Sequence, residues 1–225
     1  MVRYGHLMIS ILFMQNLCMA QEKPTLIYIG DPMCSWCYGF SPELDNTLKE
    51  LGDELTVRLI LGGLRPYNDE KISDMKVFLQ EHWEHVNEAS GQNFDYTILD
   101  DPTFVYDTEP PSRAVLVVRH LMPESEFAFF HDVQKLFYQQ NKHTDVVENY
   151  YPILEKYGID KFAFTAAYNS EEMKQLIKED FAASKALGVS GFPSMLLLQD
   201  GKYKQITNGY TKSDDVIKSV LKQIK

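Results

Sequence analysis

The sequence predicts an α/β domain of βαβ…ββα order, opened between its second and third strands by a large all-helical insertion. Three observations predict it. Two apolar runs, at 25–29 and 55–61, flank a helix-compatible stretch. Near the C-terminus an apolar run, an Asp200-Gly201 turn and an alternating run precede an amphipathic segment. Between 64 and 188 the apolar spacing is that of helices almost throughout.

Thr25 to Ile29 is uninterrupted and rich in Leu and Ile, the pattern of a strand covered on both faces. A helix follows from about Ser35 to Leu51, with Phe40, Leu44, Leu48 and Leu51 on one side and Gly52 in the usual place of a C-terminal glycine. Leu55 to Leu61 is the second strand, stopped by Gly62-Gly63. So short a strand–helix–strand unit implies a parallel crossover.

The insertion, 64–188, starts with an amphipathic helix over Ser73–Ala89, its apolar side formed by Met75, Phe78, Leu79, His82 and Val86. A polar loop, Gly91–Asp107, separates it from a helix opened by Pro110-Pro111 that runs through Ala114, Val117 and Leu121. Further helices are predicted over Pro123–Gln140, Val146–Tyr157, Asp160–Tyr168 and Ser170–Leu187, the last closed by Gly188. Ser194–Leu198 and Lys202–Thr207 then form a hairpin, the second strand half-exposed at an edge. A final helix is capped by Ser213, with Asp214 and Asp215 in its first turn.

The chain has 225 residues, 44% of them hydrophobic, and a formal net charge of −10. That suits one domain carrying an insertion and argues against a nucleic-acid partner, which needs a basic face. Residues 1–20 have a separate character: Arg3, then an apolar Leu7–Met14, then Cys18-Met19-Ala20 ahead of Gln21. This is the pattern of a cleaved export signal, with a buried N-terminal strand or helix as the alternative. A lipid anchor on Cys18 is disfavoured by the bulky Leu17 before it. The mature domain is then 21–225, with no further apolar segment long enough to span a bilayer. The expected location is exported and periplasmic, or cytoplasmic if 1–20 is not a signal. With no dimerisation module between Gln21 and the first strand, a monomer is expected.

Of three cysteines, only Cys34 and Cys37 lie beyond residue 20. They stand three residues apart at the start of the first helix, directly after the first strand. A helix N-terminus gathers unpaired amides and the positive end of the dipole. Both favour the thiolate, the nucleophile of disulfide exchange. A zinc site would need two more ligands, and no other thiol is available. The pair reads as a redox dithiol that needs no metal or organic cofactor, acting on protein or peptide thiols and disulfides and on a redox partner.

With these residues in view the chain resembles the DsbA-like branch of the thioredoxin superfamily, within it the FrnE-like group of predicted disulfide isomerases. The resemblance rests on Asp31-Pro32-Met33-Cys34-Ser35-Trp36-Cys37-Tyr38-Gly39-Phe40, on Thr108-Glu109-Pro110-Pro111-Ser112-Arg113-Ala114, and on Gly188-Val189-Ser190-Gly191-Phe192-Pro193-Ser194. It implies a thioredoxin fold and a thiol–disulfide oxidoreductase of oxidase or isomerase type. Cys34, at the surface, would be the attacking thiol and Cys37 the buried resolving one. It further implies that Pro193 is a cis proline beside the disulfide, with Gly191 and Phe192 lining a peptide groove. Six residues before the first cysteine, where relatives have a carboxylate, this chain has Tyr28. Asp31 is the nearest acidic replacement for proton handling, although a turn role is ordinary before proline.

Several residues carry two readings. Trp36 either contacts substrate or covers the disulfide. Tyr38 and Phe40 read as core, His82 and His85 as ordinary helix residues rather than metal ligands, and Glu109–Arg113 as a helix ion pair rather than part of the groove. Two other functions compete. One is a redox-silent binding or chaperone module. The other is a glutathione-dependent enzyme of the kappa-class transferase or hydroxychromene carboxylate isomerase type, disfavoured because those look to use serine at the first position.

Overall fold

The computed structural model describes residues 23–224. The expected export signal, with Cys18, lies outside them. Four strands form one mixed sheet in the order β2–β1–β3–β4: β1 (Thr25–Gly30), β2 (Thr56–Leu61), β3 (Ser194–Gln199) and β4 (Lys202–Asn208). β1 and β2 run parallel, Thr25 opposite Thr56, whereas β3 runs antiparallel to both β1 and β4. The β3–β4 turn places Asp200 and Gly201 at φ +50° and +71°, the doubly left-handed conformation for which an Asp-Gly pair is suited. This is the thioredoxin fold the sequence predicts, and the segment between β2 and β3 is helical apart from loops and short turns.

Helix α1 (Ser35–Leu51) lies on the face of the sheet reached by Leu26, Tyr28, Leu59 and Leu61. The opposite face, Ile27, Ile29, Ile60 and Leu196, is covered by Ala183, Leu187, Val189 and Phe192. Pro42 lies inside α1 and has no amide for the carbonyl of Tyr38. That carbonyl instead accepts from Ser41 Oγ at 2.8 Å and Gln92 Nε2 at 3.2 Å. The orphan is satisfied within α1 and from the insertion, and the Gln92 bond ties the two together.

The insertion consists of α2 (Lys76–Ser90), α3 (Glu109–Leu121), α4 (Glu126–Tyr138), α5 (Tyr151–Lys156), α6 (Lys161–Asn169) and α7 (Glu171–Ala186). α8 (Ser213–Ile224) closes the fold against α1. Gly52 is the C-cap of α1, as expected, and keeps right-handed helical angles, φ −57° and ψ −32°, because the chain passes into a further turn in which the Glu54 amide bonds to the Leu51 carbonyl. Two expectations change. Ser213 is not the cap of α8: its amide donates to Glu43 Oε2 of α1 at 2.8 Å, so the capping carboxylate arrives from another helix. On α2 the buried side is Leu79, Trp83 and Val86, while Phe78 is 61% exposed. The inward turn of that helix is set by Trp83, which packs among Phe94, Tyr96, Phe137 and Tyr138. Among the described residues no helix is long and apolar enough to cross a membrane.

Candidate active site

β1 ends at Gly30, and the turn Asp31–Met33 delivers Cys34 to the N-cap of α1, with φ −85° and ψ 115°. The cap side chain is the thiol itself: Cys34 Sγ accepts from the Cys37 amide at 3.4 Å. This uses one of the unpaired donors at a helix start to hold the sulfur on the helix axis. Both cysteines are free thiols. Cys37 is fully buried, and Cys34, expected at the surface, is only 5% exposed. The cover comes from a segment 158 residues away, where the Phe192 carbonyl accepts from Cys34 Sγ at 3.7 Å.

The Phe192–Pro193 peptide bond is cis. Its loop is pinned on both sides: the Gly209 amide donates to the Pro193 carbonyl at 2.7 Å, and Ser194 Oγ donates to the Gly191 carbonyl at 2.8 Å. Gly191 and Phe192 are half-buried and Pro193 is buried. A cavity of about 310 Å³ reaches Cys34 between this loop and α2, walled by Trp36, Leu64, Phe78, His82 and Phe192. Trp36 stands edge-on to His82 at 6.0 Å and tilted to Tyr210 at 5.9 Å, so it is a wall of the cavity mouth. The His82 ring stacks on Phe78 at 5.7 Å, and burial followed by nearby His85 lowers its pKa. Among the described residues no three His, Cys, Asp or Glu side chains converge in a group that could hold a metal.

Asp31 is fully buried. Its two oxygens accept from the amides of Met33 at 2.9 Å and Leu64 at 2.8 Å, so one carboxylate ties the turn before Cys34 to the segment after β2. Burial outweighs these bonds and raises its pKa to about 6. The residue before the thiol is gripped from the insertion: the hydroxyls of Tyr106 and Tyr138 both donate to the Met33 carbonyl at 2.7 Å. Burial pushes the Cys37 thiol well up, and the neighbouring Cys34 adds to this. Tyr28 is also fully buried, its hydroxyl has no hydrogen-bond partner among the described residues, and burial, followed by the charge of Cys37, pushes it well above the ordinary tyrosine range.

Sequence reasoning missed Leu64, Arg65, Met75 and Tyr106, which line the cavity, and Tyr138, which grips Met33. Each is separated from Cys34 by a span in which the chain must fold back, and only Phe78 leaves a trace, as an exposed aromatic on a helix. Glu109 and Arg113 form the expected helix ion pair, and it is buried. Arg113 grips both Glu109 oxygens, at 2.6 and 3.1 Å, donates to the Tyr168 carbonyl and lies 4.1 Å over the Tyr168 ring. Both side chains are buried, so the pair belongs to the packing of α3 against α6 and not to the cavity wall.

The chain is 32% identical to a "putative protein disulfide isomerase" from Nitrosomonas europaea, with a TM-score of 0.82 over 89% of this chain and 97% of that one. It is 26% identical to the cytosolic disulfide reductase DsbM of Pseudomonas aeruginosa, with a TM-score of 0.73 over 89% and 98% of the two chains. It is also 22% identical over 187 residues to the ClpXP adapter protein SpxH of Halalkalibacterium halodurans; the match takes in 80% of this chain and spans 60% of that relative's length. Residues 25–219 match the model of the DSBA-like thioredoxin domain, taking in every strand, the dithiol and the cis-proline loop. The chain belongs to the DSBA-like thioredoxin domain family.

Proposed function

We propose that this chain is a thiol–disulfide oxidoreductase that exchanges disulfides with protein or peptide substrates through Cys34 and Cys37. The observation that carries the reading is the placement of Cys34 Sγ between the Cys37 amide and the Phe192 carbonyl, at the mouth of a cavity. Similarity to a protein named as a disulfide isomerase and to one named as a disulfide reductase supports exchange chemistry.

In the oxidising direction a substrate thiolate attacks Cys34 Sγ of the Cys34–Cys37 disulfide, and Cys37 leaves as thiolate and takes a proton. A second substrate thiolate then attacks the substrate sulfur of the mixed disulfide and releases Cys34. In the reducing direction Cys34 attacks the substrate disulfide, and Cys37 attacks Cys34 Sγ to release the second substrate thiol. Substrate backbone next to the reacting sulfur meets the Phe192 carbonyl and the cis-proline loop, an edge suited to an extended segment. The dithiol is the redox centre, so the cycle calls for no other cofactor.

The deciding experiment is equilibration of the pair with glutathione buffers. A potential of about −120 to −180 mV makes the protein an oxidase or isomerase, and one near about −270 mV a reductase. If no disulfide forms between Cys34 and Cys37, the reading fails and a binding module takes its place. Tight glutathione binding by the purified protein would instead favour the glutathione-dependent alternative. The pattern of residues 1–20 supports export, tested by N-terminal sequencing of the mature protein; the cytosolic location in DsbM's name is the alternative. We read the protein as a monomer, tested by its elution mass.

A further inference from the structure

A row of rings stands beside Cys34. Phe78 stacks on His82 at 5.7 Å, His82 meets Trp36 edge-on at 6.0 Å, and Trp36 leans on Tyr210 at 5.9 Å. Phe78 and His82 lie one helical turn apart on α2, and Trp36 lies between the two cysteines on α1. Tyr210 follows β4, and its hydroxyl is fixed by Lys212 at 2.8 Å and Glu43 at 3.3 Å. Three distant parts of the chain hold the row, so its rings are placed before anything binds. The outermost ring, Phe78, is exposed, and so is Leu64, which lines the same cavity. Single exposed apolar side chains are ordinary, but two lining one cavity over a thiol mark a surface that binding covers.

The cavity offers little to a charged ligand. Among the residues lining it Arg65 is the one fixed cation, and Glu70 balances that charge at Nη2, with Asn68 at 3.2 Å. The guanidinium lies over the Tyr106 ring at 5.7 Å, and its Nε is buried. Burial, followed by nearby His85, holds the His82 pKa below the ordinary 6.5, so that ring is neutral near pH 7. A carboxylate brought here would lose water and gain no free cation. At about 310 Å³ the space is at the small end for a ligand pocket, enough for a side chain and little more.

We propose that this wall sets substrate choice: the preferred substrate is a protein or peptide segment whose reacting cysteine is flanked by an aromatic or large aliphatic side chain, and Phe78 is the residue that reads it. This rests on the exchange reading above and narrows it. Because the cavity reaches Cys34, the group that fills it belongs to the segment carrying the reacting sulfur. Burying that group against Phe78 and Trp36 holds the substrate sulfur in line with Cys34 Sγ. Glutathione brings carboxylates to a wall with no free cation and has no apolar side chain to bury there.

The test gives the reduced protein blocked peptides Gly-X-Cys-X-Gly, X being Phe, Leu, Ser or Glu, each with thionitrobenzoate on its cysteine, and the glutathione adduct beside them. The Cys34 thiolate attacks the peptide sulfur, a Cys34–peptide disulfide forms, the bond to thionitrobenzoate breaks, and the coloured thiolate leaves with the electron pair. Each rate is divided by that of the same adduct with free mercaptoethanol, which removes intrinsic reactivity. The Phe and Leu peptides are expected to exceed the Ser and Glu peptides and glutathione roughly tenfold, and Phe78→Ser to cut that ratio to about threefold or less. Phe78 is exposed, so an unchanged urea midpoint is expected for this variant. Val77→Ser is the surface control: Val77 is 73% exposed, does not line the cavity, and is expected to leave the ratio as it is. Equal corrected rates for all peptides would overturn the proposal, as would glutathione reacting as fast as the Phe peptide. An equal fall in the Val77 and Phe78 variants would overturn it too, because general surface hydrophobicity then explains the preference. Cys34→Ser is the control for the underlying reading. If it releases the coloured thiol as fast as the wild type, the exchange mechanism itself fails, and the selectivity loses its site with it.

Discussion

Phe192 closes on Gly62 so tightly that a Cβ atom at residue 62 would stand 2.4 Å from the tip of its ring. The ring is rooted in the residue whose carbonyl meets Cys34, so the end of β2 decides where the cover of the thiol lies. Gly62→Ala is expected to cost about 1–3 kcal/mol by overpacking and to slow exchange beyond what that loss explains. Comparing urea midpoints with single-turnover exchange rates checks both halves. A variant as fast as wild type would show that the Phe192 carbonyl does not position the reaction.

Cys34→Ser is expected to abolish exchange, and Cys37→Ser to accumulate a stable mixed disulfide with a cysteine-containing peptide. Mass spectrometry under non-reducing conditions distinguishes them. An adduct on Cys37 in the Cys34→Ser variant would reverse the assigned roles, although Cys37 has no exposed surface to support that.

The Met33 carbonyl receives two tyrosine hydroxyls. Tyr106→Phe and Tyr138→Phe are each expected to lower stability by about 1 kcal/mol, and the double variant by more than the sum, since either donor alone still satisfies the acceptor. Denaturant midpoints at unchanged m-value are the measurement. Strict additivity would refute a shared role.

Asp31 binds its proton more tightly in the fold, up to about pH 6, than the ordinary value of 3.8 allows in the unfolded chain. Between those values the native state holds more protons than the unfolded one. Stability from this group therefore falls as pH rises from about 4 to about 6 and is flat above. Asp31→Asn is expected to lower stability, because an amide cannot accept from both the Met33 and Leu64 N–H groups, and to remove that decline. Midpoints measured across this range for both proteins decide it; parallel curves would sink the assignment.

Arg119 joins β2 to two helices, bonding Asp180 at 2.9 and 3.0 Å, the Leu59 carbonyl at 3.1 Å and Glu126. Arg119→Met is expected to cost about 3 kcal/mol, chiefly by leaving two shielded carboxylates without their cation. Adding Asp180→Asn is then expected to recover part of the loss, read from thermal midpoints. No recovery would place the damage in lost packing of the Arg119 stem.

The sequence by itself determined the order of elements, the parallel first pair of strands, the Asp-Gly hairpin and the dithiol at a helix start. These are written in short-range terms: apolar spacing over a few residues, turn residues at fixed offsets, two cysteines one helical turn apart. The Gly-Phe-Pro loop could be read as part of the site only by resemblance, since nothing local ties residue 193 to residue 34. Tertiary structure decided what surrounds the thiols. It turned Trp83 inward and left Phe78 on the wall of the cavity, brought Glu43 to cap α8, and buried the Glu109–Arg113 ion pair against α6. It also covered Cys34 with a carbonyl 158 residues away and buried the Tyr28 hydroxyl without a hydrogen-bond partner. The physical reason is common to all of these. Local pattern reports which face of an element is apolar, whereas burial, charge pairing and hydrogen-bond supply at a site depend on which distant elements pack over it.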